Sequence, residues 1–149
     1  MSLRTPQVFY KALLASPSVT AATSGRIYST AIPVPDDELD NEPIPYIVIT
    51  FDGLRNDGYT KDNDFEGNVD NVNIGIEITA ENPEALMELA EQVRAAVIDF
   101  FSNYAPAPGE EDLTALIPNS YNFGATQAVY DPDKPCFRIV LTYDCDTNP

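Results

Sequence analysis

The residues best placed for chemistry form an acidic run that ends in a glycine. Asp62, Asp64 and Glu66 occupy alternate positions before Gly67, and Asp70 follows three residues later. Carboxylates at this spacing, followed by a turn glycine, match the early ligand positions of a calcium-binding loop. The pattern therefore raises a calcium site as a hypothesis.

The end of this run does not fit calcium. The twelfth position of such a loop is a glutamate that supplies two oxygens, but here it is Asn73. The flanking sequence is typical of strands or turns, whereas a calcium loop of this kind lies between two helices. We therefore expect a solvated acidic hairpin tip with no metal or other cofactor. A small calcium-binding module built on Asp62, Asp64, Glu66 and Asp70 is the alternative.

Two carboxylate pairs could in principle supply the general acid and the general base of a catalysed reaction. Asp131 lies near Asp133, and Asp144 lies near Asp146. Both pairs fall in turn or tail sequence, and an acidic protein brings carboxylates together by chance. We predict that the protein is not an enzyme, with a cytosolic enzyme of unknown type left as a second alternative.

The number of cysteines and the absence of histidine limit the kinds of metal and catalytic site that the chain can form. The chain has two cysteines and no histidine, so it cannot build a zinc site of four Cys and His ligands or a Ser/His/Asp triad. Cys136 and Cys145 flank one strand-like run. At about 3.3 Å per residue they would lie roughly 30 Å apart, on opposite faces, and we predict two free thiols.

The charge of the chain excludes several classes of partner. With 24 acidic and 8 basic residues the formal net charge is −16 at pH 7, which opposes binding to nucleic acid or to an anionic membrane. The sequence has no apolar run near the roughly 20 residues needed to cross a bilayer. At 149 residues we expect a single domain over 1–149.

The stretch from residue 71 to 103 changes from a strand period to a helix period. Apolar residues from Val72 to Ala80 alternate with mostly polar ones, which predicts a half-buried strand. Asn82 and Pro83 are typical of a helix cap and a first helical position. Apolar residues then recur along one side from Leu86 to Phe101, so this helix should lie on the sheet with Leu89, Val93 and Val97 buried.

The rest of the chain supplies a short helix and further strands. Thr5 followed by Pro6 predicts the cap and first turn of an N-terminal helix, which should end before Pro17. Ser16 followed by Pro17 repeats this signal and predicts one or two further helical turns. Further strands are predicted at Tyr46 to Phe51, from Tyr121, and from Phe137. Three segments should lie outside the core: a Pro-rich acidic connection over 32–45, an acidic hairpin arm over 53–67, and a frayed tail over 144–149.

These elements predict an α/β (α+β) fold. It consists of a mainly antiparallel or mixed sheet of four to five strands, one long helix packed on one face, and a short N-terminal helix. The opposite face would carry apolar area that another copy could cover. The candidates for this oligomer interface are Tyr46, Val48, Tyr59, Phe65 and Val140.

Four short motifs in this order carry a resemblance to a known family. They are the helix from Phe9 to Leu14, Ser16-Pro17-Ser18-Val19 leading into Gly25-Arg26-Ile27-Tyr28, the strand Pro45-Tyr46-Ile47-Val48, and Asp70 to Ala80 running into the helix from Ala85 to Val97. With the order of elements, they resemble the phage tail terminator or tail completion family, of the minor tail protein U type. The resemblance spans most of the chain.

The resemblance implies a structural protein of a phage or prophage tail. Members of that family form ring-shaped homo-oligomers, often hexamers, which cap the tail tube and join it to the head connector. The implied partners are other copies of the chain, the tail tube protein and a head-completion or connector protein, without sequence-specific nucleic acid binding or a membrane. The implied location is the virion tail, after assembly in the cytoplasm of the bacterial host. No catalytic residue is implied.

Calcium affinity tests the interpretation of the acidic run. Because Asn73 cannot supply the bidentate carboxylate, titration calorimetry at neutral pH should show no binding of calcium at micromolar concentrations. An Asp62→Ala protein should give the same flat titration as the parent. Micromolar binding that Asp62→Ala abolishes would instead establish the metal-binding module.

Overall fold

The computed structural model describes residues 2–30, 42–56 and 69–148. The acidic run over 62–67, the greater part of the Pro-rich connection and the tip of the hairpin arm lie outside these ranges. The described elements in chain order are a 3-10 turn Ser2–Arg4, α1 Thr5–Leu14, α2 Pro17–Thr23, β1 Ile27–Thr30, β2 Tyr46–Asn56, β3 Asp70–Ala80, α3 Pro83–Asn103, a 3-10 turn Thr114–Leu116, β4 Ser120–Ala125, β5 Val129–Asp131 and β6 Cys136–Thr147.

The strands form one mixed sheet with β3 at its centre. The order across the sheet is β1, β2, β3, β6, β4, and β5 pairs with β6 beyond the end of β4. β1 runs parallel to β2, whereas all other neighbours are antiparallel. The predicted fold class is confirmed. The sheet has six strands where four to five were predicted, and two of the six, β1 and β5, are short.

The long helix α3 begins where the sequence indicates. The Asn82 side chain accepts a hydrogen bond of 2.8 Å from the Ala85 N–H, and Pro83 takes the first helical position. This cap satisfies one of the amides that a first helical turn leaves unpaired, and proline has no N–H to leave unpaired there. Residues 82 and 83 therefore determine where the chain turns from β3 into α3.

The start of the N-terminal helix differs from the prediction. Thr5 does not cap α1 from outside, because it is the first residue of the helix and its hydroxyl donates to the Ser2 carbonyl at 2.6 Å. A 3-10 turn over Ser2–Arg4 precedes it. The next helix follows the predicted rule, since the Ser16 hydroxyl accepts from the Val19 N–H and Pro17 follows it.

The core lies between the sheet and the helices α1 and α3. In the register of β3 with β6, Ile78 is opposite Ile139, and Ile76 is opposite Leu141. These side chains belong to one buried cluster with residues of α1 and α3. We call this side of the sheet the helix face and the other side the open face. The prediction that Leu89, Val93 and Val97 are buried is confirmed.

An aromatic cluster extends this core toward β4. The Tyr143 ring lies 5.0 Å from the Phe9 ring, 5.3 Å from the Tyr121 ring and 5.2 Å from the Phe123 ring, measured between centroids. Tilted and edge-to-face contacts at these separations are favourable for aromatic rings. The cluster joins α1, β4 and β6 into the same core.

The carboxyl-terminal tail is not frayed where the sequence predicts it. β6 continues through Thr147, and Asp144 and Asp146 are paired with Asn73 and Asn71 of β3. The Thr147 hydroxyl donates to the Ser2 hydroxyl at 2.7 Å, and the Ser2 hydroxyl donates to the Asn148 carbonyl at 2.9 Å. Contact with the first turn of the chain orders this segment.

The base of the predicted acidic arm is also regular strand. Residues 53–56 of β2 pair with residues 70–73 of β3 after a register shift between Phe51 and Gly53. Gly53 has a φ of 143°, a conformation that favours glycine. The arm therefore begins later than residue 53.

The burial of α3 predicts the effect of a charge in the core. Val93 is 0% exposed, so Val93→Asp would place an unpaired carboxylate among apolar side chains at a cost on the order of several kcal/mol. That is a large part of the stability of a small domain, and urea unfolding followed by circular dichroism should show a protein largely unfolded without denaturant. Ala95→Asp is the matched control because Ala95 is exposed on the same helix. A Val93→Asp protein as stable as this control would contradict the packing.

Candidate functional site

Two predicted interface residues of the open face are already buried by the chain itself. Tyr46 is 1% exposed and Val48 is 5% exposed, whereas Val140 is half-buried. The expectation that Tyr46 and Val48 offer free apolar area is therefore wrong, because both side chains are buried in the chain's own fold. Tyr59 and Phe65 lie outside the described residues.

The Tyr46 ring is covered by the Lys134 side chain, which is anchored to the backbone at Glu42. The Lys134 ammonium lies 5.2 Å from the centre of the Tyr46 ring and donates a 2.9 Å hydrogen bond to the Glu42 carbonyl. The Tyr28 hydroxyl donates to the Glu42 carboxylate at 2.8 Å, and this hydrogen bond raises the pKa of Tyr28. A cation over an aromatic face is attracted to its negative quadrupole. This end of the open face is therefore closed.

The opposite end of the open face carries polar side chains in cross-strand rows. Asp146 accepts hydrogen bonds from the Asn71 amide at 3.3 Å and from the Ser120 hydroxyl at 3.1 Å. In the adjacent row Asp144 lies between Asn73 and Asn122. The pair Asp144 and Asp146, predicted as tail residues, thus belongs to the sheet.

The other acidic candidates have structural partners too. The Asp131 carboxylate accepts from the Asp133 N–H at 3.0 Å and lies 3.4 Å from the Arg138 guanidinium, so it stabilises the turn between β5 and β6. Asp70 is buried and accepts a 2.6 Å hydrogen bond from the Asn56 amide. Within residues 2–30, 42–56 and 69–148, no cluster of three or more Cys, Asp or Glu side chains is arranged to hold a metal ion.

Both cysteines are buried free thiols in one continuous strand, as the sequence predicts. Cys145 lies on the helix face, and burial, followed by the charges of Asp144 and Asp146, raises its pKa to about 12. A thiol with that pKa is almost entirely protonated at neutral pH, and the thiolate is the nucleophile. Cys145 is therefore a packing residue.

The sheet edges are a feature that the sequence motifs do not indicate. Residues 113–130, which we call the uncharged stretch, contain no Asp, Glu, Lys or Arg and form the longest run without a charge in this acidic chain. They build β4 and most of β5, and Val129 and Tyr130 are 62% and 51% exposed. A scan for gaps between charges would have found this stretch.

The exposed side of α3 is acidic, in contrast to the uncharged stretch. Its solvent-facing residues include Glu84, Glu88, Glu91 and Asp99. Among the helices of the described chain, none is both long and apolar enough to cross a membrane. The acidic exposed side of α3 thus contrasts with the uncharged stretch that forms β4 and most of β5.

Comparison with known proteins identifies the family. A family model described as tail completion protein gp17 matches residues 7–145. The chain belongs to the tail completion protein gp17 family. It is therefore a structural protein of the phage tail, and the resemblance drawn from the sequence is confirmed.

The solved structures agree on the fold. Among 26 matching chains is one from the virion of a native gene transfer agent (GTA) particle, with 14% sequence identity and a TM-score of 0.66. The match covers 97% of this chain and 94% of that chain. At this identity the likeness is one of fold. No curated protein matches the chain.

Proposed function

We propose that copies of this protein form a closed ring, a hexamer when assembled, that ends the tail tube and joins it to the head connector. The observation that carries the proposal is the family match over residues 7–145. A match of fold to a chain from a virion particle supports a place in such an assembly. The partners are other copies of the chain, the tail tube protein and a connector protein, assembled in the cytoplasm of the bacterial host.

The proposed role is structural and involves no catalysis. Its carboxylate pairs lie in strand rows and a turn, where Asp146 and Asp131 accept hydrogen bonds from neighbouring groups. The thiol of Cys145 is held protonated by burial. These groups stabilise the fold, and the exposed surface carries the function.

The charge of the chain suits a ring through which DNA passes. With −16 on each copy, phosphates and protein carboxylates repel, and no counterions are released on contact. A duplex would therefore move through such a ring without adhering to its wall. The protein would contribute shape and partner contacts, and no reading of the DNA sequence.

The same charge opposes the assembly of the ring. Copies that carry like charge repel one another, and the salt concentration sets the distance over which this repulsion acts. That screening length is about 30 Å at 0.01 M salt and about 8 Å at 0.15 M salt. Assembly should therefore be weak in dilute buffer and stronger at physiological salt. A closed ring also requires head-to-tail contacts, in which two different surfaces of the chain meet.

Mass in solution over a salt and concentration series tests the ring. Light scattering and negative-stain images should show association that strengthens between about 0.01 and 0.15 M salt, because screening weakens the repulsion. The double variant Glu88→Gln and Glu91→Gln removes two exposed charges from α3 and should associate at lower salt than the parent. A protein that stays monomeric under every condition, including with its tail tube present, would contradict the proposal.

A further inference from the structure

The first edge strand of the sheet, β1, has backbone groups on its outer side that no other described strand pairs with. The Ile47 N–H donates to the Arg26 carbonyl at 3.0 Å, so in this parallel ladder the alternation directs the N–H and C=O of Ser29 away from β2. Ser29 is exposed, and β1 carries no charged residue. Among the described strands, none lies on the outer side of β1.

A cavity lies directly beside this edge on the helix face. It has a volume of about 510 Å³ and is lined by Leu3 and Tyr10 near α1 and by Ser29 and Phe51 on the sheet. Leu3 is 71% exposed, although it is large and apolar. A strand that paired with β1 would direct every second side chain to the helix face, where this cavity could receive one of them.

The opposite edge of the sheet is unusually free of charge. Natural edge strands are commonly protected from pairing by charged side chains or proline. β4 has neither, and it lies within the uncharged stretch. Its residues Tyr121, Phe123 and Ala125 point to the helix face, because they pair in register with Cys145, Tyr143 and Leu141.

The directions of the two edge strands are compatible with each other. β1 is parallel to β2, and the antiparallel pairs β2 with β3, β3 with β6, and β6 with β4 make β4 run opposite to β1. If the sheet of one copy continues into the sheet of the next, β4 therefore meets β1 as an antiparallel pair with both helix faces on the same side. Antiparallel pairing is slightly the more stable kind.

We propose that the β4 edge of one copy pairs with the β1 edge of the next copy and places the exposed Ala125 side chain of β4 beside the cavity at Ser29, since Tyr121 and Phe123 already pack in the aromatic cluster of their own copy. The occupant is a second copy of this chain, since its own β4 edge lacks charge and runs in the direction that gives an antiparallel pair with β1. Contact through two uncharged edges keeps the acidic side of α3 out of the contact. The inference rests on the proposed ring, because a head-to-tail contact uses two different edges.

Cross-linking tests which edges meet. Ser29 and Ala125 are small, exposed and on the helix face, so Ser29→Cys protein mixed with Ala125→Cys protein should give dimers with a short thiol-to-thiol cross-linker. The parent protein is the control, since Cys136 and Cys145 are buried. Each single variant alone should give no dimer. Dimers from one single variant alone would mean that like edges pair, and would overturn the head-to-tail inference.

A proline tests the backbone groups of β1. Ser29→Pro removes the outward N–H and should weaken association at 0.15 M salt about tenfold, the factor expected for one hydrogen bond. Ser29→Ala retains the N–H and should associate within about twofold of the parent. Thermal unfolding of both variants would show whether the proline has damaged the fold itself, in which case the cross-linking result decides.

The outcomes separate this inference from the ring proposal. If the parent forms rings but the mixed cysteine proteins give no dimer and Ser29→Pro associates like Ser29→Ala, the edge pairing is wrong and the ring stands. If the parent never associates, even with the tail tube, the ring itself is wrong.

Discussion

The pairing of β3 with β6 is the interaction on which the rest of the structure depends. Its register brings Ile74, Ile76 and Ile78 beside Tyr143, Leu141 and Ile139 on the helix face. A slip of β6 by one residue would turn its row of Tyr143, Leu141 and Ile139 toward the open face and would leave α3 above polar side chains of that strand. Because α1, α3 and the aromatic cluster all pack on these two rows, this register determines the core.

A second constraint is the balance between charge and association. A net charge of −16 favours solubility, and the same charge drives copies of the chain apart. A protein of this kind can associate well only where its surface lacks acidic groups. The residues of the edge strands β1 and β4 carry no charge of their own, whereas the exposed side of α3 is acidic. The net charge would thus disfavour contacts through acidic surfaces and leave the strand edges as the contacts, without itself attracting one copy to another.

Local signals account for what the sequence predicted correctly. The alternation from Val72 to Ala80, the cap at Asn82 and the apolar stripe through Val93 each depend on neighbours in the chain, and all three are present. The wrong predictions for Tyr46 and for the carboxyl-terminal tail concern contacts between distant residues. Tyr46 is covered through Lys134, and Thr147 is ordered by Ser2. No periodicity within either segment indicates which distant residue will reach it.

Hydrogen–deuterium exchange of free and assembled protein tests most directly whether copies meet through their sheet edges. The backbone amides of residues 27–30 and 120–131 should exchange more slowly in the assembled form, since an added strand protects the amides of an edge. Amides at the centre of β3 should exchange slowly in both forms. Assembly that leaves both edges as exchangeable as in the free protein, and protects the exposed side of α3 instead, would contradict the account.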